Sequence, residues 1–315
     1  MRIGILGLGL IGGSAALALA EAGHEVTGYD TAPETRAAAA ATSIEVADEP
    51  AGLRKADVAV VAVPIAAASR TASLFGPDRF DGIVTDAASV KGRMREAFAD
   101  HPRFIGGHPM AGKETAGFDA AEPGLFRGRR WVLCLEDETE LGDWIALARL
   151  WTSIGAHVVP ATAAAHDRAA ARISHVEHLA AAALTLIADE PLSRTLAAGS
   201  FHDGTRVAAS PNRLFEGMVE GNRAEMTEAL EHLAVELEDA RLGLYSFGEQ
   251  PDRIVSWFDR ARRLRASWPP EPGEPQALEI TREGLLELGT AGGWVESIGD
   301  SEVATVRRPR VKSNP

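Results

Sequence analysis

The chain has 315 residues, a formal net charge of -13 and one cysteine. Its length suits two domains better than a single hydrophobic core. The negative charge argues against a nucleic-acid partner, and an anionic ligand would need a local cationic pocket. Cys134 cannot form an internal disulfide and lies in an apolar run, so we expect a buried, inert thiol.

The apolar runs are short. None reaches the roughly 18 residues that a membrane span needs. The N-terminal run is typical of a strand, not of a signal peptide, because Gly7 and Gly9 interrupt it. We therefore expect a cytoplasmic protein without membrane contact.

The first half of the chain alternates strands and helices. Helices are predicted over residues 10–22 and from about Val90. Strands are predicted over residues 2–7, 24–29, 56–63, 82–86, 103–107, 130–135 and 156–159. We expect these strands to form one doubly wound α/β sheet of the Rossmann type. Residues 1–160 then form a dinucleotide-binding domain.

From about Ala161 the strand pattern stops. An Ala-rich helix over residues 161–189 is apolar nearly all round and is expected to be buried on all sides. A loop at Gly199–Gly204 and helices at 211–220, 223–247 and 251–267 follow. Residues 161–267 are thus predicted to be an all-helical substrate and dimerisation domain, and the protein a homodimer.

Residues 268–315 begin with a Pro-rich linker. The short tail that follows has strand-like runs at 276–281, 294–298 and 302–307. So small a segment makes a poor independent domain, so we expect it to pack on the rest of the protein.

The motif Gly7-Leu8-Gly9-Leu10-Ile11-Gly12 lies between the first strand and the first helix. Its glycines allow a tight turn, the approach of a pyrophosphate and close helix packing. Asp30 ends the next strand and has no adjacent arginine, which favours NAD over NADP. The residues expected to bind the cofactor are Gly7, Leu8, Gly9, Leu10, Ile11, Gly12, Asp30, Val63, Pro64 and Ser89.

His108 lies among glycines after a short strand. An imidazole that changes charge near neutral pH is a ready proton acceptor, and the glycines let a ligand approach it. Ser89 follows the fourth strand, where ligands of open α/β sheets bind. Its hydroxyl could cap the next helix or face the reacting centre.

Asp167, Ser174 and His178 would share one face of an ideal helix, with His175 about a quarter-turn away. They could be functional, or they could be satisfied by hydrogen bonds within the helices. The His-x-x-His spacing also suggests a metal, but no further ligand pattern supports one, and we expect none. Arg206 could be a surface charge or a fork-shaped cation for an anionic ligand.

Together these motifs resemble the prephenate/arogenate dehydrogenase (TyrA-type) family. The resemblance covers about residues 1–250. It is carried by GLGLIGGS at 7–14, TDAASVKG at 85–92, GGHPMAGKETAG at 106–117, HDRAAARISHVEH at 166–178, and TRVA at 205–208 with Asn222 downstream.

The resemblance implies NAD-dependent oxidative decarboxylation of prephenate to 4-hydroxyphenylpyruvate in tyrosine biosynthesis. His108 matches a catalytic histidine that accepts a hydrogen bond or proton from the ring hydroxyl, and Ser89 matches a serine that orients it. Arg206 matches an arginine that binds a substrate carboxylate. The other residues assigned to this dianionic substrate are His178, His175, Asp167, Lys113 and Glu114.

The sequence leaves open whether the substrate carries the keto group of prephenate or the ammonium group of arogenate. Glu177 stands where the family often has proline, and a carboxylate there could favour arogenate, as in an arogenate or dual-specificity cyclohexadienyl dehydrogenase. His178 argues for prephenate, because arogenate-specific relatives often lack it. More distant alternatives are a non-enzymatic NAD-binding regulator and a β-hydroxyacid dehydrogenase-like enzyme. The latter would need a lysine on the long helix, and residues 161–189 contain none.

Overall fold

The computed structural model describes residues 1–113, 115–299 and 303–310. The chain forms two compact units: Met1–His166 with the C-terminal segment from Gly273, and Asp167–Pro272. The domain bounds at residues 160 and 267 stay a prediction. In the described part of the chain, no helix combines the length and apolar character that crossing a membrane requires.

The first unit contains the predicted Rossmann-type sheet. Its strands are β1 (Arg2–Leu6), β2 (Glu25–Tyr29), β3 (Glu45–Val46), β4 (Val58–Val61), β5 (Ile83–Asp86) and β6 (Phe104–Ile105). All pairs are parallel, in the order β3-β2-β1-β4-β5-β6. The helices between them are α1 (Leu10–Glu21), α2 (Pro33–Ala40), α3 (Ala68–Leu74) and α4 (Lys91–Ala97). Strands β4 and β5 are buried along their whole length, as parallel strands covered on both faces should be.

The first unit also contains a second sheet. It is formed by β7 (Gly107–Pro109), β8 (Arg130–Cys134), β9 (His157–Ala161), β10 (Gln276–Glu279), β11 (Trp294–Ile298) and β12 (Val303–Arg307). The order is β10-β12-β11-β9-β8-β7. α5 (Leu141–Ser153) follows β8 and carries Trp151, whose ring stacks on Trp131 of β8 at 3.7 Å. One core of buried side chains joins the strands of both sheets.

The prediction of a single sheet was therefore wrong. The chain leaves the first sheet at Gly106, and β7 pairs antiparallel with β8. Apolar runs locate strands but not their partners, so the change of sheet was hidden. The tail packs on the first unit as expected, because Val295 of β11 pairs with Val158 of β9.

The remaining helices are α6 (Ala163–Ala170), α7 (Val176–Ile187), α8 (Pro191–Leu196), α9 (Gly199–Thr205), α10 (Asn212–Tyr245) and α11 (Pro251–Ala266). A π-helical turn, Ala171–His175, joins α6 to α7. α10 is kinked at Asn222, in the predicted gap between two helices. The loop predicted at Gly199–Gly204 is instead α9, because its glycines cost only about 1 kcal/mol each and contacts with the turn after it offset them.

The long helix is not buried on all sides in the single chain. Leu184, Leu186 and Ile187 of α7 are 45%, 75% and 80% exposed. The prediction of complete burial was therefore wrong for one chain. Exposed apolar side chains grouped at a helix end form a candidate interaction surface.

Candidate active site

The glycine turn between β1 and α1 has the geometry that its sequence predicts. Gly7 has φ of +93°, and a Cβ there would lie 2.5 Å from the Ala62 carbonyl oxygen. A Cβ on Gly12 would lie 1.9 Å from the Gly7 oxygen, so only glycine lets α1 start this close to β1. A Cβ on Gly9 would meet no atom within 4 Å. The turn therefore leaves room for a pyrophosphate at a helix N-terminus.

The other predicted cofactor residues border this turn in different ways. The Leu8 side chain is fully buried against Gly28, so only its backbone can face a ligand. Val63 lies against the turn, since its Cγ1 is 3.0 Å from a Cβ built on Gly7. Half-buried Leu10 and Ile11 and exposed Pro64 complete this set. Their contacts with a cofactor stay a prediction.

Asp30, just after β2, directs its carboxylate to the same turn. Oδ2 accepts the Leu8 N–H at 2.8 Å, and Oδ1 accepts the Ala32 N–H at 2.9 Å. Each oxygen can accept a further bond, so ribose hydroxyls can still bind there. No arginine is adjacent to Asp30 in the sequence, but one lies beside it in the structure. From α2, Arg36 donates Nη1 to the carbonyls of Asp30 and Thr31, at 2.7 and 3.2 Å.

A buried ion pair, which sequence reasoning missed, lies where β5 ends. Asp86 and Lys91 form it, and both side chains are fully buried. Lys91 Nζ also donates to the Gly107 carbonyl at 2.5 Å, and Asp86 Oδ1 accepts the Gly107 N–H at 3.0 Å. Burial raises the pKa of Asp86, while the Lys91 charge and bonds from the Gly107 and Ala88 amides oppose that shift. The pair therefore holds the peptide groups on both sides of Gly107, which precedes His108.

His108 lies in the middle of β7 and is half-buried. Its Nδ1 is 2.8 Å from Nε2 of His166, and the two rings meet at 77°. His166 is only 5% exposed and was not singled out from the sequence. Since the Gly107 N–H binds Asp86 at the carboxyl end of β5, His108 lies at the sheet edge where β1 leads into the glycine turn. Ligands of open α/β sheets bind at this edge.

Ser89 lies at that edge too, between β5 and α4. The N-cap of α4 is Val90, and no side chain caps the helix, so the capping interpretation of Ser89 was wrong. Ser89 is half-buried. Its role in orienting His108 stays a prediction.

Two predicted substrate residues lie in the segment after β7. Lys113 is exposed, and its ammonium lies 2.8 Å from the Glu122 carboxylate and 3.2 Å from the Ala120 carbonyl. Glu114 lies outside the described residues. The assignment of both residues to the substrate stays a prediction.

In the second unit, the buried face of the long helix differs from the predicted one. Asp167, His175 and His178 are buried, whereas Ser174 is half-buried. The π-helical turn causes this, because its extra residue moves the buried face from Ser174 to His175. Asn222 donates Nδ2 to the Asp167 carbonyl at 2.8 Å and lies 3.2 Å from His175 Nδ1. The kink of α10 thus ties α6 to the π-helical turn.

Arg206 and His178 lie close together in the second unit. His178 Nδ1 donates to the Val207 carbonyl at 3.1 Å, and its ring meets the Phe215 ring edge-on at 5.1 Å. Exposed Arg206 begins the 3₁₀ turn that contains Val207. The turn that holds the buried His178 imidazole therefore also carries an arginine, whose guanidinium suits an anionic ligand group.

The sequence predicts an inert thiol at Cys134 and no metal site. Cys134 is buried and forms no disulfide, as predicted. Among the described residues, no three His, Cys, Asp or Glu side chains are grouped to hold a metal ion.

Two family models match the chain in sequence. One, described as "Prephenate dehydrogenase, nucleotide-binding domain", matches residues 15–160. The other, "Prephenate dehydrogenase, dimerization domain", matches residues 162–259. The chain is 32% identical to the cyclohexadienyl dehydrogenase of Zymomonas mobilis, over 84% of this chain and 94% of the relative. It is 29% identical to the prephenate dehydrogenase of Lactococcus lactis, over 90% and 79%.

Solved structures give the same likeness. The prephenate dehydrogenase of A. aeolicus, in complex with hydroxyphenyl propionate and NAD+, has a TM-score of 0.77 and 25% identity. The alignment covers 85% of this chain and 98% of that one. The arogenate dehydrogenase of Synechocystis has a TM-score of 0.73 and 27% identity, covering 85% and 100%.

Proposed function

This chain belongs to the prephenate dehydrogenase family, and we propose that it converts prephenate to 4-hydroxyphenylpyruvate with His108 as the proton acceptor. It is an NAD-dependent oxidoreductase of aromatic amino acid biosynthesis. One observation carries the role of His108: its imidazole is held against buried His166 at the sheet edge that carries the glycine turn.

The mechanism needs one proton acceptor. Neutral His108 takes the proton of the ring hydroxyl, which raises the electron density on the carbon that is oxidised. NAD+, held at the glycine turn and Asp30, would supply the hydride acceptor. Loss of the carboxylate as CO2 makes the ring aromatic and drives the reaction, and the phenolate oxygen then takes the proton back from His108 to give the 4-hydroxyl of the product. General-base catalysis typically contributes about 10²–10⁴-fold to such a step.

The substrate carries two carboxylates, and the protein carries a net charge of -13. Binding therefore needs a local cation that offsets this unfavourable field. Arg206 supplies one in the second unit, and a guanidinium fork matches a carboxylate with two hydrogen bonds. His178, tied to Val207 beside it, is proposed to contact the pyruvyl side chain.

Replacing Arg206 with alanine should mainly raise KM for prephenate. A charge-assisted bond lost at this point is expected to cost about 2–4 kcal/mol of binding free energy, with a smaller effect on kcat. Steady-state kinetics check it. Arg194→Ala is the control, because Arg194 is an exposed partner of Asp189 on the surface of the same unit. An unaltered KM in Arg206→Ala would show that another group holds the carboxylate.

The structure favours prephenate over arogenate. Glu177 is exposed whereas His178 is buried, so the two do not share a face of α7. A carboxylate roughly 100° away around the helix axis is poorly placed to pair with the ammonium of arogenate beside His178. Steady-state rates for both substrates, each with NAD+ and NADP+, test this. We expect a higher kcat/KM for prephenate with NAD+, and faster turnover of arogenate would overturn the choice of substrate.

Asp30 and Arg36 together predict the cofactor preference. Asp30→Asn removes the charge that repels a 2′-phosphate and leaves Arg36 to bind it, so NADP+ should bind at least about tenfold more tightly. Titration of NADP+ into the enzyme without substrate measures this directly. The double variant Asp30→Asn/Arg36→Ala should lose the gain. An equal gain in NADP+ affinity in both variants would show that Arg36 does not bind the 2′-phosphate.

We also propose a cytoplasmic homodimer. The exposed apolar residues of α7 give the helical unit a surface to bury, and a matched family model describes this region as a dimerization domain. Light scattering should give about twice the 33.3 kDa of one chain. A monomer mass at working concentration would contradict this. Use of the NAD pool supports a location inside the cell.

A further inference from the structure

We propose that His166 is a positioning residue that fixes the tautomer of His108. The inference rests on the proposed role of His108 as the proton acceptor. It starts from the 2.8 Å separation of His108 Nδ1 and His166 Nε2. At this distance one nitrogen donates and the other accepts, so a single proton lies between the rings.

The two possible arrangements differ in what they leave on the far side of His108. If Nδ1 of His108 carries the shared proton, Nε2 is the unprotonated nitrogen and is the one that can accept a proton from a hydroxyl. If Nε2 of His166 carries it, neutral His108 must hold its own proton on Nε2 and cannot act as a base there. Catalysis therefore needs His166 as the acceptor.

The fold holds His166 in place for this task. His166 is 5% exposed, and its backbone N–H donates to the Thr162 carbonyl at 2.9 Å in the first turn of α6. β9 leads into this turn and is two strands away from β7 in the second sheet. The planes of the two rings are nearly perpendicular, at 77°.

A neutral partner also has an electrostatic consequence. A carboxylate in the place of His166 would orient His108 equally well but would add negative charge next to a dianionic substrate. An imidazole supplies the acceptor without that charge. When His108 becomes an imidazolium, its Nδ1–H bond to His166 becomes charge-assisted and stronger.

Two substitutions separate orientation from packing. His166→Leu removes the acceptor, whereas His166→Gln places an amide oxygen near the position of Nε2. We expect kcat to fall at least about tenfold in His166→Leu and to stay within about threefold in His166→Gln. KM for NAD+ should not change in either variant. Equal losses in both variants, or no loss in His166→Leu, would overturn the proposal.

A spectroscopic measurement tests the tautomer without turnover. Two-bond ¹⁵N–¹H correlation spectra of the enzyme with ¹⁵N-labelled histidine, assigned with His108→Asn, report which nitrogen of His108 is protonated. We expect Nδ1–H in the wild type and in His166→Gln, and Nε2–H or a mixture in His166→Leu. Nε2–H in the wild type would refute the proposal. If the wild type does not turn over prephenate, the proposed function fails, while this spectrum still decides the tautomer.

Discussion

His108→Asn should bind NAD+ as the wild type does and turn over prephenate at least about a hundredfold more slowly. Asparagine keeps a polar group of similar size on β7 but cannot accept a proton near neutral pH. The glycine turn and Asp30 hold one another through the Leu8 amide, independently of His108. The loss should therefore appear in kcat, with the Kd for NAD+ unchanged. Stopped-flow turnover and a fluorescence titration with NAD+ measure the two quantities separately.

A matched variant excludes a general effect of losing a histidine. His24 lies before β2, at the sheet edge opposite to Asp30, so His24→Asn should keep wild-type kcat and KM. Turnover of His108→Asn within a few-fold of the wild type would remove His108 from the mechanism. A parallel loss of NAD+ binding would instead point to damage to the first unit.

Local signals in the sequence predicted the part of the fold that depends on neighbours along the chain. The glycine turn is one case, because its three glycines, the strand before them and the helix after them are contiguous. The break at Asn222 is another. The second sheet could not be predicted in this way, because β7 pairs with β8 and β9 pairs with β11 from the tail. Those partners depend on the whole chain, not on the pattern of each run.

The same limit applies to the site. His108 was visible because glycines surround it, but His166 is 58 residues away and adjoins it only through the second sheet. The π-helical turn is a further example. An ideal helical repeat places Ser174 on the same face as His178. The extra residue in the π-helical turn places His175 on that buried face instead. Arg36 was overlooked because it approaches Asp30 from the next helix.

The Asp86–Lys91 pair supports a prediction about stability and catalysis together. Lys91→Met leaves a buried carboxylate without its partner, which is expected to cost about 3–5 kcal/mol. At about 2–4 °C per kcal/mol for a unit of this size, the melting temperature should fall by roughly 6–20 °C. The released Gly107 carbonyl should also let His108 move, so kcat should fall even at temperatures where the variant is folded. Calorimetry at fixed protein concentration measures the change in melting temperature. Kinetics at about 15 °C below the melting temperature of the variant measure kcat while the variant is folded.

Two further variants distinguish the effect of breaking the Asp86–Lys91 ion pair from the general effect of removing a cationic side chain. Arg95→Met, one turn along α4, breaks an exposed pair with Glu138 and should cost under about 1 kcal/mol. Asp86→Asn/Lys91→Met removes both charges, so its loss should be smaller than the sum of the two single losses. Additive losses would mean that the two groups act independently. Lys91→Met removes the hydrogen bond from Lys91 to the Gly107 carbonyl. If kcat of the folded variant is nevertheless unchanged, that bond contributes to stability and does not position His108.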